Sequence, residues 1–352
     1  MPIRPERPAE AVEGENIMAH EIEQFTDGSA AFVGAREHAW HRLGTVLPQQ
    51  FTAAECMDHA FLGGWDVRKE PLTTTVVTAE GVALLDVPDA YATVRTHPKT
   101  GLPDVLGVVG NGYRPIQNEA HADLLNTLVD QSGAHFETAG SLRGGKQVFI
   151  TMKAPTTMLI GGRDAVDLYL VALNSHDGSS AFRLLVSPVR VVCANTQAAA
   201  IAGAKSSYKI RHTSGAAGYV AEARQALGLT FKYAEAFQAK ADAMISEQIT
   251  RQEFDALIGA VWASDAADTG SKRAKTIKAN RDGELRRLMW RADTNEAIRG
   301  TRWAAYQSVT EYLDHTAPVS AKSGQADARA ERAICSTTVE AVKVRAFDLL
   351  KI

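Results

Sequence analysis

The run Asn174-Ser175-His176-Asp177-Gly178-Ser179 has the residue types that do chemistry. A histidine beside an aspartate can ligate a metal or relay a proton. Against a shared site, neighbours on an extended chain point to opposite sides, and Asp-Gly between two apolar runs is a hairpin signal. Both readings stay open: a metal-dependent or hydrolytic centre around His176 and Asp177, and a turn. His38 and His41 flank Trp40 with HxxH spacing, without a carboxylate partner at a fixed spacing. Cys193 closes the apolar run Val191-Val192. A helix starting beyond it would lower its thiol pKa, whereas its apolar flanks favour burial and an unreactive thiol.

Phosphate-binding loops are the other chemistry a short motif can announce. Gly110-x-Gly112 lacks the third glycine and the helix start of a dinucleotide fingerprint, and the sequence contains no GxxxxGK[ST]. Arg143-Gly144-Gly145-Lys146 is the nearest relative of such a loop. It reads as a hairpin turn flanked by cations, or as a backbone contact to phosphate. Cys56, Cys193 and Cys335 are widely spaced and form no CxxC pair, so neither a disulfide framework nor a zinc site is expected, and a reducing, cytoplasmic setting is. The expectation is no cofactor, no metal and no catalytic residue.

Charge is unevenly spread. Residues 1–140 hold 9 Lys/Arg against 20 Asp/Glu, residues 141–212 hold 9 against 3, and residues 270–303 hold 10 against 4. Two basic stretches in a chain of net charge -3 point to an anionic partner or to electrostatic subunit contacts. No run of about 18 apolar residues exists, so no membrane span is expected. Residues 1–17 are rich in Pro and Glu and read as a disordered tail, with Met18 a candidate start.

The elements that must position these residues are legible in the periodicity. Thr52 to Leu62 reads as a short helix with Thr52 as its cap and Glu55 three residues on. Residues 73–79 and 82–87 flank Glu80-Gly81 as a hairpin, and residues 91–97 and 105–110 read as two further strands. A helix runs from Asn118 to Gly133. Residues 135–142, 146–154, 167–175 and 181–194 read as strands, the last bent at Pro188, followed by a small-residue helix over 195–204 and a strand over 207–213. A linker over 213–218 precedes helical patterns to the C-terminus, including the basic helix 272–290. The class is α+β: an antiparallel β-rich N-terminal half with packed helices (18–212), then a helical C-terminal half (213–352).

Several strings share an order: MAHEIE at Met18, AWHRLGT at Ala39, GVVGNGYRPIQNEA at Gly107, ETAGSLRGGKQVFI at Glu137, NSHDGSSAFRLLVSPVRVVCANT at Asn174, YKIRHT at Tyr208 and GTRWAAYQSVTEYLDH at Gly300. Together they resemble the phage/plasmid-like family named for its Leu-Gly-Thr motif, domain of unknown function 932. That motif is Leu43-Gly44-Thr45 here, and Gln307 stands where members often have Asn. The resemblance implies carriage by phages and plasmids and supplies no catalytic residues.

The leading functional expectation is single-stranded DNA binding or annealing in recombination or replication, by a homo-oligomer. The strand-strand-helix-strand-strand order looks like the small cores of phage annealing proteins. Arg143, Lys146, Arg183, Arg190, Lys205, Lys209 and Arg211 are candidate phosphate contacts, and Tyr208 and Tyr113 candidate stacking partners. A third expectation is a self-assembling or partner-binding protein of a mobile element.

Overall fold

Alternation of apolar and polar residues builds two sheets in a computed structural model that describes residues 22–35, 44–79, 81–190, 207–210, 216–263, 271–319 and 336–351. The larger sheet has seven strands in the order β10-β9-β8-β7-β6-β1-β2. They are β1 (Phe32–Ala35), β2 (Thr45–Leu47), β6 (His135–Leu142), β7 (Gln147–Ile160), β8 (Asp164–Ser175), β9 (Phe182–Arg190) and β10 (Ser207–Ile210). Neighbours are antiparallel except the parallel pair β1–β2. The smaller sheet, β3-β4-β5, consists of β3 (Arg68–Thr78), β4 (Gly81–Thr96) and β5 (Pro103–Gly110).

Capping chemistry sets the helix starts. Thr52 opens α1 (Ala53–His59) and Thr250 opens α4 (Arg251–Val261), each with a reciprocal Glu three residues on. The other helices are α2 (Asn118–Ser132), α3 (Ala216–Ser246), α5 (Lys272–Arg291), α6 (Arg302–Glu311) and α7 (Thr337–Leu350). Gly133 ends α2 at φ +70°, the left-handed geometry that glycine adopts at little cost. None of the described helices is long and apolar enough to cross a membrane.

One core joins the sheet to the helices. On β8 and β9 the inward residues Val166, Leu168, Leu170, Phe182, Leu184 and Val186 are buried with Tyr233, Phe237, Met244 and Ile245 of α3. Phe237 stacks on Phe347 of α7 at 5.7 Å between ring centres and meets Trp303 of α6 edge-on at 6.0 Å. Burial of such side chains contributes about 1.5–3 kcal/mol each. Trp303 Nε1 donates to Asp164 Oδ2 at 2.6 Å, and Gly161 N donates to Asp242 of α3 at 2.7 Å. The helical half therefore closes over the β7–β8 turn. A smaller cluster of Ile22, Phe32, Leu142, Phe149 and Leu173 forms separately.

Several sequence expectations are corrected. β4 is one 16-residue strand, where the sequence predicts two on either side of Pro88. The register with β3 shifts between Pro71 and Thr73, and Asp89 has φ +55°, so an irregularity absorbs the proline. Pro188 causes no register shift: it pairs with Leu168, and among the described residues β10 pairs only with residues 182–185 of β9. α3 begins at Ala216, inside the expected linker. β1 and β2 have no counterpart in the sequence expectations, and the helix expected over 195–204 lies outside the described residues.

Before residue 90 of β4 the small sheet is a two-stranded ribbon. β5 pairs with β4 only from Ala90 to Thr96, whereas β3 and β4 continue pairing to Thr78 and Gly81. Val77, Val82 and Leu84 are 81%, 70% and 72% exposed there.

Candidate nucleic-acid interface

The β6–β7 turn is Arg143-Gly144-Gly145-Lys146, with φ of +56°, +63° and +83° at its first three residues. An arginine in this region is strained by roughly 1–2 kcal/mol. Arg143 and Lys146 are exposed or partly so, at the rim of the turn. Gly145 presses on the buried guanidinium of Arg95: a Cβ there would come within 2.2 Å of Arg95 Nη1. Arg95 is clamped by Glu23, by Asp104 Oδ2 at 2.9 Å, and by the Trp65 ring 4.3 Å from its guanidinium carbon. Glu23 also accepts from the Ser141 hydroxyl at 2.8 Å.

The β8–β9 loop is tied to this turn, because His176 N donates to Lys146 O at 2.8 Å. His176 is fully buried, with Nε2 2.9 Å from Asn118 Oδ1 and its ring 5.6 Å from that of Trp65. Asp177 serves its own loop, accepting from Ser175 Oγ at 2.8 Å and Ser179 N at 2.9 Å. Partial burial acts to raise its carboxyl pKa, and these hydrogen bonds outweigh that and leave it below the ordinary range. The sequence motif is thus both a loop and a buried histidine, each with separate partners. Among the described residues, no three His, Cys, Asp or Glu side chains stand together as a metal site requires.

A third segment packs on the same loop. Tyr113 donates its hydroxyl to Ser175 O at 2.9 Å, and burial, with the nearby Asp177 charge, pushes its phenol pKa up. Its half-buried ring is a strut beneath the loop rather than an open platform. At Gly107 a Cβ would come within 2.7 Å of Asp177 Cα, so the close approach needs glycine. The stretches around Gly107, Arg143 and Asn174, far apart in sequence, meet at one end of the large sheet.

The candidate cations divide between the two ends. Arg183 is half-buried near the start of β9, and the ladder places Lys209 opposite it and Tyr208 opposite Leu184. Leu173, two residues before Ser175, is Arg183's partner on β8, so Arg183 and Lys209 lie at the loop end. Arg190 pairs with Val166 at the far end, about 23 Å along the strand from Arg183. Lys205, Arg211, Cys193, Cys335, His38 and His41 lie outside the described residues.

Tyr169 and Lys153, half-buried and paired across β7–β8, are absent from the sequence expectations. Alternation marks them: Leu168 and Leu170 point into the core, so Tyr169 points out. Lys153 pairs with Asp167 at 2.5 Å.

Residues 105–335 match the model of the family described as Domain of unknown function (DUF932). The chain belongs to that family. The DUF932 region takes in the three converging segments and the helices up to α6, and leaves the ribbon outside. No curated protein and no solved structure matches the chain.

Proposed function

We propose that this DUF932 protein binds single-stranded DNA at the loop end of its seven-stranded sheet, in recombination or replication of a phage or plasmid. The observation that carries the reading is the gathering of Arg143, Lys146, Arg183 and Lys209 at that end, through the β8–β9–β10 ladder and the His176–Lys146 bond. Supporting it, Arg143 occupies a left-handed backbone position where glycine would be cheaper, and strain of this kind concentrates at functional positions. Cations drawn from separate segments read a flexible phosphate chain without demanding a base sequence. Tyr208, next to Lys209, is the stacking candidate in this reading.

The test is a gel-shift titration of single- and double-stranded oligonucleotides across a salt series. Each phosphate neutralised on a single strand contributes about 0.7 to the log–log salt slope, so four contacts give a slope near about -3. Replacing Arg143, Lys146 and Lys209 together by Gln should flatten the slope by about two units. Arg190→Gln, at the far end, should leave it unchanged. Absence of single-strand binding by the parent at low salt, or an unaltered slope in the triple variant, would overturn the reading.

A further inference from the structure

The β3–β4 ribbon beyond Pro71 is a two-stranded hairpin with no third strand among the described residues. Such ribbons are marginal in water unless something packs on them. The cross-strand pairs Val77–Val82 and Thr75–Leu84 lie on one face. That face carries Val77, Val82 and Leu84, the three most exposed large apolar residues of the described chain. Residues 71–89 contain Glu80, Asp86 and Asp89 and no Lys or Arg. An acidic, apolar ribbon repels nucleic acid and suits a basic surface with an apolar centre.

The chain carries such a surface. Positions 272–280 of α5 are all exposed except the half-buried Ala274. Residues 272–280 hold Lys272, Arg273, Lys275 and Lys278 and no acid. Ile277 is 55% exposed among them. The Ser271 hydroxyl caps α5 at Ala274 N, so the helix starts cleanly although its first turns stand largely in solvent.

We infer that the ribbon of one chain docks on the first turns of α5 of a second copy, with Val77, Val82 and Leu84 around Ile277 and the ribbon's carboxylates against Lys272, Arg273 and Lys275. The two surfaces are different patches of one chain, so the contact is head-to-tail. A head-to-tail contact propagates into a ring or an open filament. The inference is independent of the nucleic-acid reading, since neither patch includes a proposed DNA contact.

Sedimentation velocity of the full chain over a concentration series tests it. The parent should form species larger than a dimer, and added salt should weaken them because charge contributes to the contact. A ribbon variant (Val77→Thr, Val82→Thr, Leu84→Thr) and a helix variant (Lys272→Glu, Arg273→Glu, Lys275→Glu, Ile277→Gln) should each sediment as a monomer. Mixed in equal amounts they should give a dimer and nothing larger, because one intact ribbon and one intact α5 surface survive. A monomeric parent, a variant that assembles like the parent, or a mixture that stays monomeric would each overturn the inference. Should the ribbon variant fail to melt cooperatively, the helix variant decides alone: a monomer supports the docking and parent-like assembly refutes it. Oligonucleotide binding by the parent is scored separately, so either idea can fail without the other.

Discussion

In the seven-stranded sheet the inward side chains of β8 and β9 lie in a continuous core with α3, α6 and α7, whereas in the three-stranded sheet Val77, Val82 and Leu84 stand in water. Both sheets use β-branched and leucine residues in alternation. The difference lies in their neighbours along the chain. The large sheet precedes helices long enough to cover it, and the ribbon juts beyond the strand that would have flanked it. The polar residues divide in the opposite sense. Near the large sheet Arg95, Asn118 and His176 are buried and hydrogen-bonded, while the described residues of the ribbon bury no polar group. A strand's residue types thus do not say whether its apolar face is core or contact surface; the packing partner does.

The largest test of this contrast is deletion. A chain ended after His212 loses α3 to α7 and leaves Leu168, Leu170, Phe182 and Leu184 uncovered. It should give no cooperative melt and no dispersed amide spectrum. Replacing residues 74–85 by Asn-Gly should leave a two-residue hairpin between the paired Thr73 and Asp86. The melting temperature should then move by less than about 2 °C. A cooperative melt in the first case, or a large loss in the second, would show that the ribbon rather than the helices completes the fold.

A sharper comparison lies within one turn. At Gly145 a Cβ would strike the Arg95 guanidinium at 2.2 Å, whereas at Gly144 nothing lies within 4 Å, and both have positive φ. Gly144→Ala should cost about 1–2 kcal/mol from backbone strain alone. Gly145→Ala carries that strain and also disturbs a buried ion cluster, so its cost should rise to about 3–5 kcal/mol. Equal melts for the two would remove Arg95 as the turn's foundation.

The smallest expected effect compares the two capping boxes, one in each half. Glu55 and Glu253 have their carboxyl pKa values held below the ordinary range, first by the backbone N–H of Thr52 and Thr250 and then by the threonine hydroxyls. A depressed folded-state pKa gives stabilisation that is complete above the ordinary glutamate range and fades as pH falls through it. Protection factors of the amides in the first turns of α1 and α4, which are corrected for the intrinsic pH dependence of exchange, should therefore fall together in mild acid, and Glu55→Gln with Glu253→Gln should abolish that fall. If only one helix responded, its box would be the one that forms in solution.

Legibility in the sequence depends on range. The capping boxes at Thr52 and Thr250, the stop at Gly133 and the hairpin that pairs Thr78 with Gly81 rest on neighbours within a few positions, and they are readable. β1 and β2 are short, and β1 owes its place to β6, about a hundred residues away in sequence, so nothing local announces them. The β10–β9 ladder alone brings Lys209 opposite Arg183, while the β8–β9 ladder sends Arg190 to the far end. Basic composition cannot make that distinction. Tyr169 is readable from the alternation around it, but a search for clustered charge passes over it.

The hydrogen bond from Trp303 to Asp164 spans 139 positions of sequence. On a ribosome adding about 5–20 residues per second, roughly 7–28 seconds separate the two partners' emergence. For much of that interval the apolar face of β8 and β9 has at most α3 to cover it, without α6 and α7, in company with an equally bare ribbon. Birth, rather than the finished state, is the hazardous stage for this chain, and slower translation through residues 165–300 should raise its demand for a holding chaperone.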